Sequence, residues 1–312
     1  MVSTETKKIL AFIKIARPVH WIKNLSIFAA LVFTGYLFES GLFTKVFISF
    51  WIFNFASSAT YAFNDVLDVN RDRLHPIKKN RPLAKGDLSQ TQALALSSIL
   101  AAIALYGSYH ISYLFFLLIS SYLLLQIAYS LYLKNLHIID ILIIASGFII
   151  RVYSGAFIID AHLSVWFLLC VISVALFLAA GKRRAELGVI SVPGKTRQSL
   201  VRYSVELLDS YVTMFGNAAW MSWALFTFFE SPQASVPLWL FLSELSRTTT
   251  INKLLMITIP ITIFGIMRYQ SLIFESRSES PERLLLTDKA LVASVTAWVT
   301  IVVWILYGGI AV

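Results

Sequence analysis

The stretch Tyr61-Ala62-Phe63-Asn64-Asp65-Val66-Leu67-Asp68-Val69-Asn70-Arg71-Asp72-Arg73 closes an apolar run that begins near Lys45. Residues 45–63 are long and apolar enough to cross a bilayer, which needs about 20 such residues. If the helix continues, Asn64, Asp65, Asp68 and Asp72 share one face, because residues three and four apart are neighbours. Like charges at that spacing repel by a few tenths of a kcal/mol per pair, and a helix C-terminus is the wrong end for anions. A cluster unfavourable on both counts calls for a cation. An all-oxygen set suits Mg²⁺, which binds through a few carboxylates plus substrate phosphates. Asn64, Asp65, Asp68 and Asp72 are therefore the expected metal ligands, with the three carboxylates as the catalytic group. The next stretch, Leu74-His75-Pro76-Ile77-Lys78-Lys79-Asn80-Arg81-Pro82, supplies cations for phosphates, with Lys78 and Arg81 the candidates. The alternative is an acidic helix end followed by a solvated basic loop.

Outward from this stretch, the 312 residues are 58% hydrophobic and only 14% charged, with a mean hydropathy of +0.74. A soluble domain is nearer 45–50% apolar and about 25% charged. The composition excludes a secreted disulfide scaffold, a disordered chain and an ordinary cytosolic enzyme. It predicts an all-α polytopic membrane protein. Nine runs approach spanning length: roughly 24–38, 45–63, 91–109, 113–133, 138–159, 163–180, 208–229, 251–273 and 290–310. Residues 9–16, beside Lys7, Lys8 and Arg17, read as an amphipathic helix lying on the membrane. So do residues 236–245, too short to span and holding Pro237, on the opposite side. The single Cys170 excludes an intrachain disulfide. The first run lacks a small-residue cleavage site, so no cleavable leader is expected.

Of the 26 Lys and Arg residues, 22 fall in the N-terminal segment and in every second loop, while Lys45, Arg247 and Lys253 lie on the other side. The positive-inside rule then places the N-terminus in the cytoplasm and the C-terminus outside. It also accounts for the net charge of +9 without nucleic acid as a partner. What it leaves unexplained are acids packed among bases and charges at membrane depth. Arg151 lies eleven residues after Asp140, about 16 Å along a helix, where an arginine costs several kcal/mol unless it faces a cavity or an acid. Lys134, near Tyr129, either faces a phosphate at the interface or snorkels to it.

Asn64-Asp65-x-x-Asp68-x-x-x-Asp72 resembles the first Asp-rich motif of the UbiA superfamily of intramembrane transferases. His75-Pro76-x-Lys78-x-x-Arg81-Pro82 is similar to one branch of it, the decaprenyl-phosphate phosphoribosyltransferases. So are Arg17-Pro18-x-x-Trp21-x-Lys23-Asn24, Tyr129-Ser130-x-x-Leu133-Lys134, Ser146-Gly147-Phe148-x-x-Arg151, Gly181-Lys182-Arg183-Arg184-Ala185-Glu186-Leu187, Arg268-Tyr269, and the tail through Glu282, Leu285 and Asp288. The resemblance runs along the whole chain. It implies one domain over 1–312: a nine-helix bundle with a cavity facing the cytoplasm, an interfacial segment 1–23, and site loops over 64–90 and 181–205. It implies Mg²⁺-dependent transfer of 5-phosphoribosyl from phosphoribosyl pyrophosphate (PRPP) to a polyprenyl phosphate in the inner membrane, and a possible homo-oligomer. The substrate-binding residues it implies are Lys23, Asn24, Lys78, Arg81, Tyr129, Lys134, Arg151, Lys182, Arg183 and Glu186.

Members using prenyl diphosphates carry a second Asp-rich motif after the sixth span. Here that place reads Lys182-Arg183-Arg184-Ala185-Glu186, which favours direct cation–phosphate contact over a second carboxylate-held metal. Two alternatives stay open: a prenyltransferase with a prenyl diphosphate donor, and a cation-coupled transporter with the acids as ion site. Against the latter, no internal repeat is visible and the acids lie at a span end.

Overall fold

The computed structural model describes residues 4–74, 77–189, 200, 202–230, 232, 235, 251–275, 284 and 286–309, and among these every regular element is helical. His75, Pro76, Lys195, Arg197, residues 236–245, Glu282 and Leu285 lie outside the described residues. In chain order, helix α1 is Thr4–Ala16, followed by a 3₁₀ segment Pro18–Phe28 and a short α2, Ala29–Phe33. Then come α3 (Ser40–Arg73), α4 (Pro82–Lys85), α5 (Gln90–Ile111), α6 (Tyr113–Leu131), α7 (Ile139–Ile158) and α8 (Val165–Val189). The chain continues through α9 (Val205–Phe229), a second 3₁₀ segment Ile251–Thr258, α10 (Ile259–Phe274) and α11 (Lys289–Tyr307).

Local chemistry sets the helix starts. Ser89 opens α5 with a capping box closed by Gln92, and Ser112, Ser204 and Asp288 accept from backbone N–H groups at the starts of α6, α9 and α11. Gly86, at φ 89°, ends α4 in a conformation that favours glycine.

Seven helices among the described residues are long and apolar enough to cross a membrane, against nine runs in the sequence. Two runs differ. Residues 24–38 do not form a long α-helix, because most of the run is taken up by the 3₁₀ segment and five-residue α2. Helix α9 has the length, but Asn217, Ser222 and its tryptophans dilute its apolar character. The expected loops also shrink: α3 stays helical through Arg73, and α8 through Val189, so Lys182–Glu186 is helix and not loop.

Helix α8 packs along α9, α3 along α5, and α7 lies against α8 and the 3₁₀ segment. That last contact is close. A Cβ on Gly155 of α7 would sit 1.9 Å from the carbonyl oxygen of Ile27, so only glycine fits there. The outer faces of α5 and α6 stay apolar and exposed, as at Ile99, Leu124 and Leu131, which suits a surface that meets lipid.

Candidate active site

At one end of the bundle the helices surround a cavity of about 670 Å³. Arg17, His20 and Lys23 come from the first 3₁₀ segment and its edge, Tyr61 and Asn64 from α3, and Lys78 and Arg81 from the connection before α4. Tyr122, Gln126 and Tyr129 come from α6, Gly147, Phe148 and Arg151 from α7, and Lys182 and Glu186 from α8. With Lys14, seven Lys and Arg side chains line the cavity, against one carboxylate, Glu186. A second concavity, beside α11, is lined by apolar and threonine side chains plus Lys289, and offers no comparable cluster of charge.

The three aspartates of α3 lie behind the cationic wall, each buried. Arg17 adopts the left-handed conformation (φ 53°), uncommon outside glycine, as the chain turns out of α1, and its guanidinium pairs with Asp65. Arg81 Nη1 donates to Asp65 Oδ1 at 3.0 Å and to Asp72 Oδ2 at 2.6 Å. Lys134, itself buried, donates from Nζ to Asp68 Oδ1 at 2.7 Å. So each expected carboxylate faces a protein cation. Among the described residues no three acids, histidines or cysteines converge on a metal-sized point. The chemistry of the donor set still fits a hard divalent ion: three carboxylates and the Asn64 amide at one helix end, all oxygen. In this structure those carboxylates are engaged by Arg17, Arg81 and Lys134.

A second charged network joins α6, α7 and α8. Arg183 is fully buried, with Nε 2.6 Å from Asp140 Oδ2, Nη2 donating to Tyr129 Oη at 2.6 Å, and an ion pair to Glu186. Asp140 also accepts from Tyr203 Oη at 2.8 Å. Arg183 is thus not on the cavity wall; it fixes Glu186 and Tyr129, which are. Arg184 leaves the site to pair with Asp209.

The third group centres on Arg151. Its Nε donates to Asn24 Oδ1 at 2.5 Å, Nη1 to the Gly147 carbonyl at 2.5 Å, and Nη2 to Tyr122 Oη at 3.1 Å. Asn24, fully buried, in turn donates to Asn54 Oδ1 at 2.6 Å and Ser57 Oγ at 3.1 Å.

Of the residues singled out in the sequence, Lys23, Asn64, Lys78, Arg81, Tyr129, Arg151, Lys182 and Glu186 line the cavity. Asn24, Asp65, Asp68, Asp72, Lys134 and Arg183 support it from behind. Arg17, His20, Tyr61, Tyr122 and Gln126 were not foreseen as site residues. Arg17 sat in a quoted motif, but only its spatial partner Asp65 reveals its place. Burial, with the charges of Lys23 and Arg17, pushes the His20 imidazole down to about 2. Burial beside Lys182, Arg151 and Arg17 holds the Lys23 amine well below its ordinary range. Both directions describe a buried wall on which cations crowd one another.

The chain is similar to the decaprenyl-phosphate phosphoribosyltransferase of Mycolicibacterium smegmatis, 34% identical over 92% of this chain and 89% of that protein. It is similar to the Corynebacterium glutamicum protein of the same name, 33% identical over 95% of this chain and 86% of that one. In fold it resembles a UbiA homolog from Archaeoglobus fulgidus solved with GPP and Mg²⁺, with a TM-score of 0.67, 17% identity, and coverage of 94% of this chain and 99% of that one. Residues 25–243 match the model of the UbiA prenyltransferase family, and the chain belongs to that family.

Proposed function

We propose that the protein transfers the 5-phosphoribosyl group of PRPP to a decaprenyl-type polyprenyl phosphate and releases pyrophosphate. The observation that carries this reading is the cavity wall, with seven Lys and Arg side chains and one acid. A sugar carrying a phosphate and a diphosphate, together with a lipid phosphate, brings about seven negative charges near pH 7. The cations answer that load directly.

The chemistry needs no protein nucleophile. The lipid phosphate, largely dianionic near neutrality because its second pKa is about 6, attacks C1 of the ribose. A C1–O bond forms to the acceptor phosphate as the C1–O bond to pyrophosphate breaks. In-line displacement turns the α donor into a β product. The transition state has oxocarbenium character, and the carboxylate of Glu186, held by Arg183, stands ready to stabilise it. Arg17, Lys78 and Arg81 neutralise the departing pyrophosphate. Mg²⁺, when bound by Asn64, Asp65, Asp68 and Asp72, would add Lewis-acid charge to the same leaving group.

In this reading the whole of 1–312 is one domain of nine spans in the inner membrane. The N-terminus and the cavity face the cytoplasm, where PRPP is made available by solubility. The test is transfer by purified protein given labelled PRPP, polyprenyl phosphate and Mg²⁺. Label in the lipid phase, abolished by chelator, is expected. No label in the lipid from PRPP, with a geranylgeranyl or longer diphosphate accepted as donor, would select the prenyltransferase alternative.

A further inference from the structure

We propose that Arg151 anchors the phosphate of the membrane-embedded lipid substrate, while Arg17, Lys78 and Arg81 at the far end of the cavity serve the water-soluble sugar donor. This assignment rests on the transferase reading and divides its two phosphate-bearing substrates between two ends of one cavity.

Arg151 lies on a helix apolar enough to span the bilayer, eleven residues or about 16 Å beyond Asp140. It is 4% exposed. None of the ion pairs among the described residues includes it. Its hydrogen-bond partners, an amide, a carbonyl and a phenol, are all neutral. The rings of Phe53, Tyr122 and Phe148 lie 5.1, 5.1 and 5.6 Å from its guanidinium carbon. These contacts orient the charge and soften its burial, but they do not neutralise it. Arg17, Arg81 and Lys134 differ in this respect, because each already has an aspartate.

An arginine carries five N–H donors, and the three hydrogen bonds leave about two for a ligand in the cavity that Arg151 lines. Two donors in a planar fork match a phosphate monoester. The donor's 5-phosphate and the lipid phosphate share that chemistry. Depth and surroundings choose between them. A lipid phosphate is tied to a chain that must remain in hydrocarbon, and the aromatic rings beside Arg151 suit its first prenyl units. A free sugar carrying about five charges would lose far more hydration at that depth. Gly147 leaves room beside it: a Cβ there would lie 3.2 Å from Arg151 Nη1, so the guanidinium would have to shift by a few tenths of an ångström from its present hydrogen bonds.

The test uses the full chain in lipid nanodiscs. Equilibrium binding of decaprenyl monophosphate, PRPP and ribose 5-phosphate is measured separately, without turnover. For Arg151→Gln, and for Gly147→Ala, which keeps the charge but crowds it, decaprenyl monophosphate binding should weaken roughly tenfold or more, and PRPP binding less than about threefold. Arg151→Lys should fall between wild type and Arg151→Gln. A loss confined to PRPP or ribose 5-phosphate would overturn the assignment, as would unchanged binding of all three. Should Arg151→Gln fail to fold, Gly147→Ala and Arg151→Lys decide, with the unfolding midpoint as control. A wild-type chain that binds decaprenyl monophosphate through Arg151 yet makes no product from PRPP would remove the transferase reading and leave the anchor standing.

Discussion

Gly155→Ala should disable the site without touching any cavity residue. The added methyl would sit 1.9 Å from the Ile27 carbonyl oxygen, whereas carbon and oxygen ordinarily approach no closer than about 3.3 Å. One of the two backbones must therefore retreat by about 1.4 Å. Ile27 lies one 3₁₀ turn beyond Asn24, so the displacement reaches the amide that accepts from Arg151 at 2.5 Å and donates to Asn54 at 2.6 Å. Stretched by that amount, both contacts cease to be hydrogen bonds. Overpacking costs about 1–3 kcal/mol, the lost hydrogen bond to a charged group about 1.5–3 and the lost amide–amide bond about 0.5–1.5. The sum, roughly 3–7.5 kcal/mol, corresponds to a fall of about 5–11 °C in the unfolding midpoint for a chain of this length. Since a misplacement of about 1 Å can cost a hundredfold in rate, transfer should fall at least as steeply as stability. Thermal unfolding in nanodiscs and a transfer assay on the same preparation would check both. A midpoint within a degree of wild type and unimpaired turnover would refute the claim that this contact positions Asn24 and Arg151.

Other substitutions separate structure from chemistry. Asp68→Ala takes from buried Lys134 the carboxylate at 2.7 Å and should cost about 3–5 kcal/mol; pairing Asp68→Asn with Lys134→Met should restore the unfolding midpoint but not transfer. An equally stable Asp68→Ala would show that the pair carries no structural weight. His20 is held at about 2 when folded, against about 6.5 unfolded, so the unfolded chain binds the extra proton between those values. Stability should accordingly be lost as pH falls below 6.5, by up to about 1.4 kcal/mol per pH unit, and His20→Gln should flatten that slope in melts between pH 7 and 5. Lys182→Ala, on the cavity wall, should lose more activity than Lys195→Ala; equal small losses would reduce the basic residues there to a topology signal.

Much of the bundle was legible because apolar run length is a direct physical requirement of the bilayer. Helices α5, α6, α7 and α11 begin and end within about three residues of their expected runs. The failures have identifiable causes. Residues 24–38 have the apolar length of a span, while the chain there is 3₁₀ up to Phe28, α-helical only over Ala29–Phe33 and turn beyond, and the close approach of Ile27 to Gly155 is invisible to hydropathy. The charge of residues 181–189 points to a loop, yet Arg183 and Arg184 are satisfied by partners on α6, α7 and α9, and Glu186 by Arg183 one turn away, so the helix continues. In the site, residue types were legible and sides were not. Charge pattern separated Arg151 and Lys182 from ordinary loop cations. It could not show that Arg183 turns inward to Asp140, nor that Arg17 reaches across to Asp65.

The first 3₁₀ segment spaces the side chains of one cavity wall. With three residues per turn, side chains at i and i+3 eclipse one another, whereas in an α-helix each such step rotates by about 60°. His20 and Lys23 therefore stand one above the other on the cavity wall, as rungs about 6 Å apart, with Arg17 at the left-handed turn just before the segment. The lowest rung, Lys23, shares the Phe148 ring with Arg151, at 5.8 and 5.6 Å. The coil of the backbone thus sets His20 and Lys23 in line between the Arg17 end proposed for the sugar donor and the Arg151 end proposed for the lipid phosphate, and so fixes the spacing of the two anions along one wall.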